Sequence, residues 1–203
     1  MEKFYLVTGS VNLLKLLVPV GVKLVQLRIK DAPIDQLRQQ ITEAKLCCQQ
    51  YGATLVLNDY WQLALELGID FVHLGQEDLQ NADFSALRRA NIRFGLSTHD
   101  EAELELALSL TPAYVALGPV YPTKLKKMKW GPQGLHRVRL WKQIAGQTPL
   151  VAIGGITPQR VAGVLGMGAD SVAVVTDIQL ALDPVARCQE WLRAIKKVDY
   201  ATI

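Results

Sequence analysis

The feature that most constrains the fold is a strict alternation of short apolar runs with longer segments of helical period along the whole chain. Runs such as VALG, LVAIGG and SVAVV are apolar at successive positions, as strands covered on both faces are. Eight such runs alternate with eight helical segments, and this order predicts a parallel sheet. The predicted strands are 4–8, 22–30, 54–59, 71–75, 93–98, 114–118, 149–155 and 171–177.

The predicted helices determine how this sheet closes. They span about 10–18, 33–51, 61–68, 83–90, 100–110, 135–146, 158–167 and 184–197. A doubly wound open sheet is the competing architecture, but it usually has about five or six strands. The count of eight favours a (β/α)8 TIM barrel in a single domain, 1–203, although such barrels typically need ~250 residues. Their active sites lie at the C-terminal ends of the strands.

Composition and the first residues of the sequence bear on the partners and the location that we expect. The net charge is +3, with 22 basic and 19 acidic residues, which is too balanced to indicate a nucleic-acid partner. The apolar stretch 11–27 is interrupted by two lysines, a proline and a glycine, so we expect no membrane span. Residues 1–3 leave no room for a signal peptide before the first strand, and three cysteines show no pairing pattern. We therefore expect a cytoplasmic protein.

The second predicted strand carries an unusual polar face. In VQLRIK, alternation places Gln26, Arg28 and Lys30 on one face, and Leu27 and Ile29 on the other. If helices cover the outside, the polar face points into the barrel, where two cations would cost several kcal/mol each without an anionic partner. The pattern predicts a phosphate-type ligand. A buried salt bridge to a neighbouring strand is the alternative.

Two acidic residues follow adjacent strands. Asp59 comes directly after strand three, and Asp78 lies in the loop after strand four. Two carboxylates, with water and phosphate oxygens completing an octahedron, are the ligands that Mg²⁺ prefers. The pair therefore predicts a magnesium site, whereas each residue alone could be a helix cap.

Three further loops at the same end of the barrel suggest anion binding. Ser97 supplies a hydroxyl at the end of strand five. The loop 119–134 is uncommonly long and carries Thr123 and four lysines, which suits a lid over phosphates, although a solvated basic loop is the alternative. Gly154 and Gly155 follow strand seven, and the loops after strands seven and eight are the usual phosphate site of this barrel.

These motifs together resemble the thiamine-phosphate synthase family, and the enterobacterial members in particular, along nearly the whole chain. The matching stretches are VQLRIKD, LVLNDYW, VHLGQEDLQ, FGLSTHDEAE, YVALGPVYPT, PQGL and VAIGGI. The resemblance implies a transferase of thiamine biosynthesis that joins hydroxymethylpyrimidine diphosphate to a thiazole phosphate, releasing diphosphate. The family's route is dissociative, which fits the lack of an obvious nucleophile or general base.

The resemblance also implies roles for individual residues. Asp59 and Asp78 would bind Mg²⁺, and the catalytic group would be Arg28, Lys30, Ser97 and Lys126. The substrate-binding residues would be Gln26, Leu27, Arg28, Ile29, Lys30, Asn58, Ser97, Thr123, Lys124, Leu125, Lys126, Gly155, Val175 and Thr176. The implied partners are the two small-molecule substrates, and the sequence leaves a homo-oligomer open.

The chain departs from the family pattern at one position. The family loop reads Pro-Thr-x-Thr-Lys, whereas here Leu125 stands where a threonine hydroxyl would donate to phosphate. We expect a weakened affinity for the thiazole phosphate unless Lys124 or Lys127 compensates. Two alternatives stay open: a thiazole tautomerase, which needs neither the acidic pair nor the diphosphate-binding cations, and a non-catalytic sensor of a phosphorylated ligand.

Overall fold

The barrel is closed by parallel strand pairing all the way round. The computed structural model describes residues 1–123 and 130–201. Within these ranges each strand pairs with the next in sequence, and the last pairs with the first, through Phe4 opposite Val172. The strands are β1 (Phe4–Thr8), β2 (Leu24–Leu27), β3 (Thr54–Asn58), β4 (Phe71–Leu74), β5 (Arg93–Thr98), β6 (Tyr114–Leu117), β7 (Leu150–Ile153) and β8 (Ser171–Val174). The predicted (β/α)8 barrel is confirmed.

The helices follow the strands in the predicted order. They are α1 (Val11–Leu17), α2 (Ile34–Tyr51), α3 (Trp61–Leu67), α4 (Phe84–Arg89), α5 (Glu101–Ser109), α6 (Gly134–Ala145), α7 (Val161–Gly166), α8 (Thr176–Gln179) and α9 (Pro184–Ala201). Short 3-10 turns at Val18–Val20 and Pro158–Arg160 extend α1 and precede α7. Among these described elements, only α8 was not predicted. It occupies part of the segment assigned to strand eight, which ends at Val174 instead of 177.

Local chemistry explains where several helices begin and end. Ser10, Asp83 and Asp100 precede α1, α4 and α5, and each side chain accepts a hydrogen bond from a backbone N–H of the first turn. Gly52 and Gly68 end α2 and α3 in the left-handed conformation, with φ of 61° and 63°. These caps satisfy backbone groups that the helices leave unpaired, so the capped helix ends have defined positions.

The core has two layers separated by the sheet. The larger layer lies between the strands and the helices and contains the fully buried Trp141 and Trp191. The smaller layer fills the barrel and includes Tyr5 and Tyr114. Gly95 of β5 is required there, because a Cβ at this position would lie 2.1 Å from Cζ of Tyr114. The apolar inner layer occupies the lower barrel, so polar side chains collect towards the C-terminal ends of the strands.

The last helix also joins the two ends of the described chain. Lys3 forms a salt bridge with Asp199 of α9, and Phe4 packs against Trp191 with ring centroids 5.7 Å apart. Asp177 in α8 accepts two hydrogen bonds from Arg187, both of 2.9 Å, and one of 2.7 Å from Nε1 of Trp191. Among the described residues, no helix combines the length and the apolar character that crossing a membrane requires.

Candidate active site

A cavity of about 950 Å³ opens at the C-terminal ends of the strands. Every strand contributes at least one side chain to its wall, because alternate residues of each strand point inwards. These inward residues include Tyr5, Gln26, Asn58, His73, Ser97, Tyr114, Val151 and Ala173. The cavity is therefore the place where the sequence-predicted residues meet, as expected for this barrel.

The end of β2 differs from its predicted form. The strand stops at Leu27, not at residue 30, so Arg28 and Lys30 lie beyond the paired region and are exposed at the cavity mouth. The prediction that two cations are buried inside the barrel is wrong, and the desolvation argument does not apply to them. Only Gln26 of this polar face is buried, and its Nε2 donates to the Tyr5 hydroxyl at 3.0 Å.

The other face of the same segment points away from the cavity. Leu27 is fully buried and Ile29 is 7% exposed, and both pack in the layer between strands and helices. Neither side chain lines the cavity. If the two residues contact a substrate as the resemblance implies, they do so through their backbone.

The predicted metal ligands face each other at the mouth. Asp59 follows β3 in the left-handed conformation, with φ of 65°, and its Oδ2 lies 3.2 Å from Nζ of Lys30. Asp78 accepts a hydrogen bond from the backbone N–H of Gly75 at 3.1 Å. Burial, followed by the charge and the contact of Asp59, raises the pKa of Asp78. A bound cation would relieve this unfavourable effect on the ionised form of Asp78.

The donor set around this pair is small. In residues 1–123 and 130–201, no group of three or more His, Cys, Asp or Glu side chains could hold a metal ion. A hard cation bound here would therefore take two protein carboxylates and complete its shell with water or ligand oxygens. That set fits Mg²⁺, which keeps several waters and favours phosphate oxygens.

Two polar groups near the carboxylates have no hydrogen-bond partner among the residues that the structure describes. Nδ2 of Asn58 is buried without a hydrogen-bond partner among the described residues, in a side chain that is 4% exposed and lines the cavity. The Arg28 guanidinium makes no hydrogen bond or salt bridge within that same part of the chain. A buried donor left unpaired is costly, so the Asn58 amide is suited to meet an acceptor on a ligand, and the exposed Arg28 guanidinium is available to bind an anion.

A chain of hydrogen bonds crosses the inside of the barrel beneath the mouth. The Tyr5 and Tyr114 hydroxyls lie 2.9 Å apart, and Nδ1 of His73 lies 2.7 Å from the Tyr114 hydroxyl. Nε2 of His73 lies 2.8 Å from Oγ of Ser97. Burial lowers the pKa of His73 to about 4, against a smaller opposing effect of Asp59, so the imidazole is neutral at physiological pH. His73 is thus a hydrogen-bonded interior residue, as its position in a strand predicts.

The opposite side of the mouth is formed by backbone. Gly154 and Gly155 have φ of 100° and 64°, and a Cβ on Gly155 would lie 2.5 Å from the Pro122 carbonyl oxygen. The loop after β6 is bound directly to the end of β7, since Tyr121 N–H donates to the Gly154 oxygen at 2.9 Å. This close approach places Thr123 with the end of β7 and the start of α8. The predicted residues Thr123, Gly155, Val175 and Thr176 all line the cavity.

The two ends of the long loop after β6 lie within the described ranges, 1–123 and 130–201. Its two ends are held together, because Gln133 N–H donates to the Pro119 oxygen at 2.7 Å and Gly134 N–H to the Val120 oxygen at 2.9 Å. Lys124, Leu125 and Lys126 lie outside the described residues. Their assignment as substrate-binding residues stays a prediction.

Sequence reasoning missed part of the wall. The Glu103 carboxylate accepts a hydrogen bond from the His99 backbone N–H at 2.8 Å and also lies 2.8 Å from Nδ1 of His99. The His99 ring, which lines the cavity, is nearly parallel to that of Trp130, with centroids 6.1 Å apart. Tyr5 and Tyr114 were also missed as cavity residues, because tyrosines in apolar strands are typical core residues. Period-two alternation from Val7 and Ala116 would have placed both inside the barrel, but it identifies no hydrogen-bond partner.

The fold and the cavity together define a class: a (β/α)8-barrel enzyme with its active site at the C-terminal mouth, where carboxylates and cations face a glycine-lined loop. The chain belongs to the thiamine monophosphate synthase family, whose model matches residues 4–178. The family resemblance and the assignment as a transferase of thiamine biosynthesis are confirmed.

Relatives with the same description match over nearly the full length. The thiamine-phosphate synthase of Rhizobium etli is 56% identical over 194 residues, which are 96% of this chain and 95% of the relative. That of the enterobacterial species Serratia proteamaculans is 47% identical, over 95% and 91% of the two chains. A solved thiamine phosphate pyrophosphorylase from Pyrococcus furiosus superimposes with a TM-score of 0.85 at 25% identity, covering 97% and 96%.

Proposed function

We propose that this enzyme joins a hydroxymethylpyrimidine diphosphate to a thiazole phosphate in an Mg²⁺-dependent reaction that yields thiamine phosphate and diphosphate. The observation that carries the proposal is the pair formed by Asp59 and Asp78 in the same cavity as Arg28 and Lys30. Carboxylates and cations around one opening suit a metal-bound diphosphate, which needs both a metal site and direct donors.

The acidic side of the mouth would bind the leaving group. Mg²⁺ held by Asp59 and Asp78 would neutralise charge that develops on the departing diphosphate. Arg28 and Lys30 donate to its oxygens from the end of β2, and Lys126 approaches from the long loop. Ser97 donates its hydroxyl from β5. The rate then depends on charge stabilisation at these fixed positions, without a protein nucleophile.

The two organic rings would lie deeper and across the mouth. Gln26 and Asn58 bind the pyrimidine, and the unpartnered Nδ2 of Asn58 supports this role because it needs an acceptor. Thr123 binds the thiazole phosphate together with backbone at Gly155, Val175 and Thr176. With Leu125 in place of the family's threonine, a neutral hydrogen bond worth about 0.5–1.5 kcal/mol is lost, which raises the Michaelis constant for the thiazole phosphate roughly 2- to 13-fold.

A single assay tests this function. The purified chain, both substrates and Mg²⁺ should give thiamine phosphate and an equal amount of released diphosphate, measured by chromatography, and EDTA should stop both. Asp59→Ala and Asp78→Ala should each slow turnover by at least ~100-fold. A chain that only isomerises the thiazole ring is a tautomerase, and one that binds ligands without turnover is a sensor; either result refutes the proposal.

The cellular setting follows from the same proposal. We place the enzyme in the cytoplasm, where reduced thiols persist, because Cys47, Cys48 and Cys188 are all free. Its partners would be the two small-molecule substrates, with neither nucleic acid nor membrane involved.

A further inference from the structure

The hydrogen-bonded chain inside the barrel lies along the cavity wall, and Ser97 is its most exposed member. Gln26 contacts Tyr5, Tyr5 contacts Tyr114, and Tyr114 contacts His73, all buried. The last contact, from Nε2 of His73 to Oγ of Ser97, meets a half-buried hydroxyl on the cavity wall. We call these five side chains the interior column. The other four are at most 8% exposed, so Ser97 is the member whose hydroxyl is most open to a ligand.

The protons available in the interior column determine which group donates and which accepts in each hydrogen bond. The Gln26 amide can only donate through Nε2, so the Tyr5 oxygen accepts there. Within the described part of the chain, the remaining contact of the Tyr5 hydroxyl is Tyr114, so the Tyr5 proton has no acceptor except the Tyr114 oxygen. The Tyr114 proton is then directed to Nδ1 of His73.

The same assignment of protons extends to Ser97. When Nδ1 of His73 accepts a proton from Tyr114, the ring proton of the neutral imidazole is on Nε2, which donates to Oγ of Ser97. The Ser97 proton is left to point into the cavity. In the reverse direction Ser97 would donate to His73, and the Tyr5 proton would be buried without an acceptor, which is unfavourable.

We propose that Tyr114, supported by Tyr5, is a positioning residue that makes Ser97 a hydrogen-bond donor towards the cavity. The inference rests on the proposed function in one respect, the contact between Ser97 and the leaving diphosphate. A serine whose proton is committed to the cavity suits an anion, whereas a serine that donates inwards presents lone pairs and repels one.

The packing around Tyr114 shows that its ring is fixed. The ring fits only because residue 95 is glycine, and it stacks on His73 at 12° with centroids 5.6 Å apart. The Tyr5 and Phe71 rings contact it edge-on, with centroids 5.9 and 5.7 Å away. A ring held on three sides keeps its hydroxyl in place, so replacing that hydroxyl by hydrogen alters the proton order with little change in shape.

A double-mutant cycle between Tyr114→Phe and Ser97→Ala tests the inference. Tyr114→Phe should lower kcat roughly tenfold, with the Michaelis constant for the thiazole phosphate unchanged. In the Ser97→Ala background the same substitution should change kcat less than about twofold, because the group through which it acts is gone. Equal, additive effects in both backgrounds would overturn the proposal and leave Tyr114 a structural residue.

Two further variants keep the test decisive. Ser171→Ala removes a buried hydroxyl from the far end of β8, where it donates to the Lys3 oxygen at 3.4 Å, and should leave kcat unchanged. If Tyr114→Phe does not fold, Tyr5→Phe takes its place in the cycle, since it removes the proton that orients Tyr114. A smaller loss that again disappears without Ser97 is expected, and additivity again overturns the proposal.

The inference can fail separately from the proposed function. If the wild-type chain forms no thiamine phosphate, the proposed function fails, and the cycle is measured instead by calorimetry with inorganic diphosphate and Mg²⁺. Tyr114→Phe should then weaken diphosphate binding several-fold in the wild-type background and not in Ser97→Ala. Equal weakening in both backgrounds, or none in either, would refute the coupling whatever the reaction is.

Discussion

Asp78 occupies a position that is unfavourable for an ionised carboxylate. Its pKa is raised, first by burial and then by Asp59, so its protonated form is favoured in the folded chain relative to the unfolded one. The stability that such a group contributes is present below its unfolded pKa and is lost as the pH rises through the folded pKa. Ionisation of Asp78 therefore destabilises the fold, and a cation bound at the pair would offset that effect.

Replacing the Asp78 carboxylate by a neutral amide should remove this destabilisation. Without Mg²⁺, Asp78→Asn should melt about 2 °C above the wild type, the shift that roughly 0.5–1 kcal/mol produces in a chain of this size. Millimolar Mg²⁺ should raise the melting temperature of the wild type and not of the variant, measured by calorimetry. Asp35→Asn, which removes an exposed carboxylate from α2, is the control and should keep the Mg²⁺ response. A variant less stable than wild type in EDTA contradicts the argument.

Arg28 should be important for ligand binding and nearly irrelevant to stability. Its side chain is exposed and has no hydrogen bond or salt bridge in the described ranges, so Arg28→Met removes no internal interaction. We expect turnover to fall at least ~100-fold and the melting temperature to change by less than about 1 °C. Arg89→Met, an exposed substitution on α4, should change neither quantity. Unfolding of the Arg28 variant would show that the residue supports the barrel.

Residue types at the strand ends could be predicted from the sequence, but their burial could not. Alternation placed Gln26, Arg28 and Lys30 on one face, and all three do line the cavity. Whether a side chain is inside or at the mouth depends on where the ladder stops, and Leu27 is the last paired residue because of its neighbours in β1 and β3. A single sequence contains no direct information on that register.

At the scale of elements, the contact between β5 and β6 depends on a missing side chain. Gly95 lies opposite Tyr114 in the paired strands, and an added methyl group would meet Cζ and Cε1 at 2.1 and 2.2 Å. The ring is enclosed by other aromatic side chains, so it cannot move aside without disturbing the inner layer. The inner wall of the barrel is therefore packed too tightly at this pair to accept an added methyl group.

Gly95→Ala should therefore destabilise the fold by about 1–3 kcal/mol, the usual range for overpacking a dense core. Urea unfolding monitored by circular dichroism measures the difference. Gly166→Ala at the end of α7 is the matched control, because nothing lies within 4 Å of the added Cβ and its backbone is not left-handed. It should be neutral or slightly stabilising. Equal stability of the two variants would contradict the described packing.

Element type and order were predictable because the alternation is long and regular. The exception is α8, where four residues are too few to show a helical period, and the apolar run before it favoured a longer strand. Its position instead depends on tertiary contacts, chiefly the Asp177 carboxylate bound by Arg187 and Trp191. A short element fixed by partners 10 and 14 residues away has no local sequence signature.

At the scale of the whole molecule, the reactivity of two buried thiols measures how the layer between strands and helices opens. Cys48 of α2 and Cys188 of α9 lie in the layer between strands and helices, and burial raises their pKa values to about 12 and 11. Cys47 is half-buried, and burial raises its pKa against a smaller opposing effect of Lys15. Thiolate is the reactive form, so all three should react slowly in the native protein, Cys47 first.

Alkylation with iodoacetamide at pH 8, followed by mass spectrometry of the peptides, tests this order. Cys48 and Cys188 should be modified at one common rate, set by opening of the barrel, because they lie in one continuous core. In about 6 M guanidinium chloride all three should react within minutes, which controls for reagent access. Much faster labelling of Cys188 than of Cys48 would show that α9 detaches on its own.

Pairing of β8 with β1 closes the strands into a ring. In the ring of strands no position is topologically first, and the salt bridge between Lys3 and Asp199 brings the two ends of the described chain side by side. A short linker could join them and a new start could be made elsewhere, with the fold unchanged. Loops before the strands, such as the turn at Gly146, are the natural places, because they lie at the end of the barrel away from the cavity.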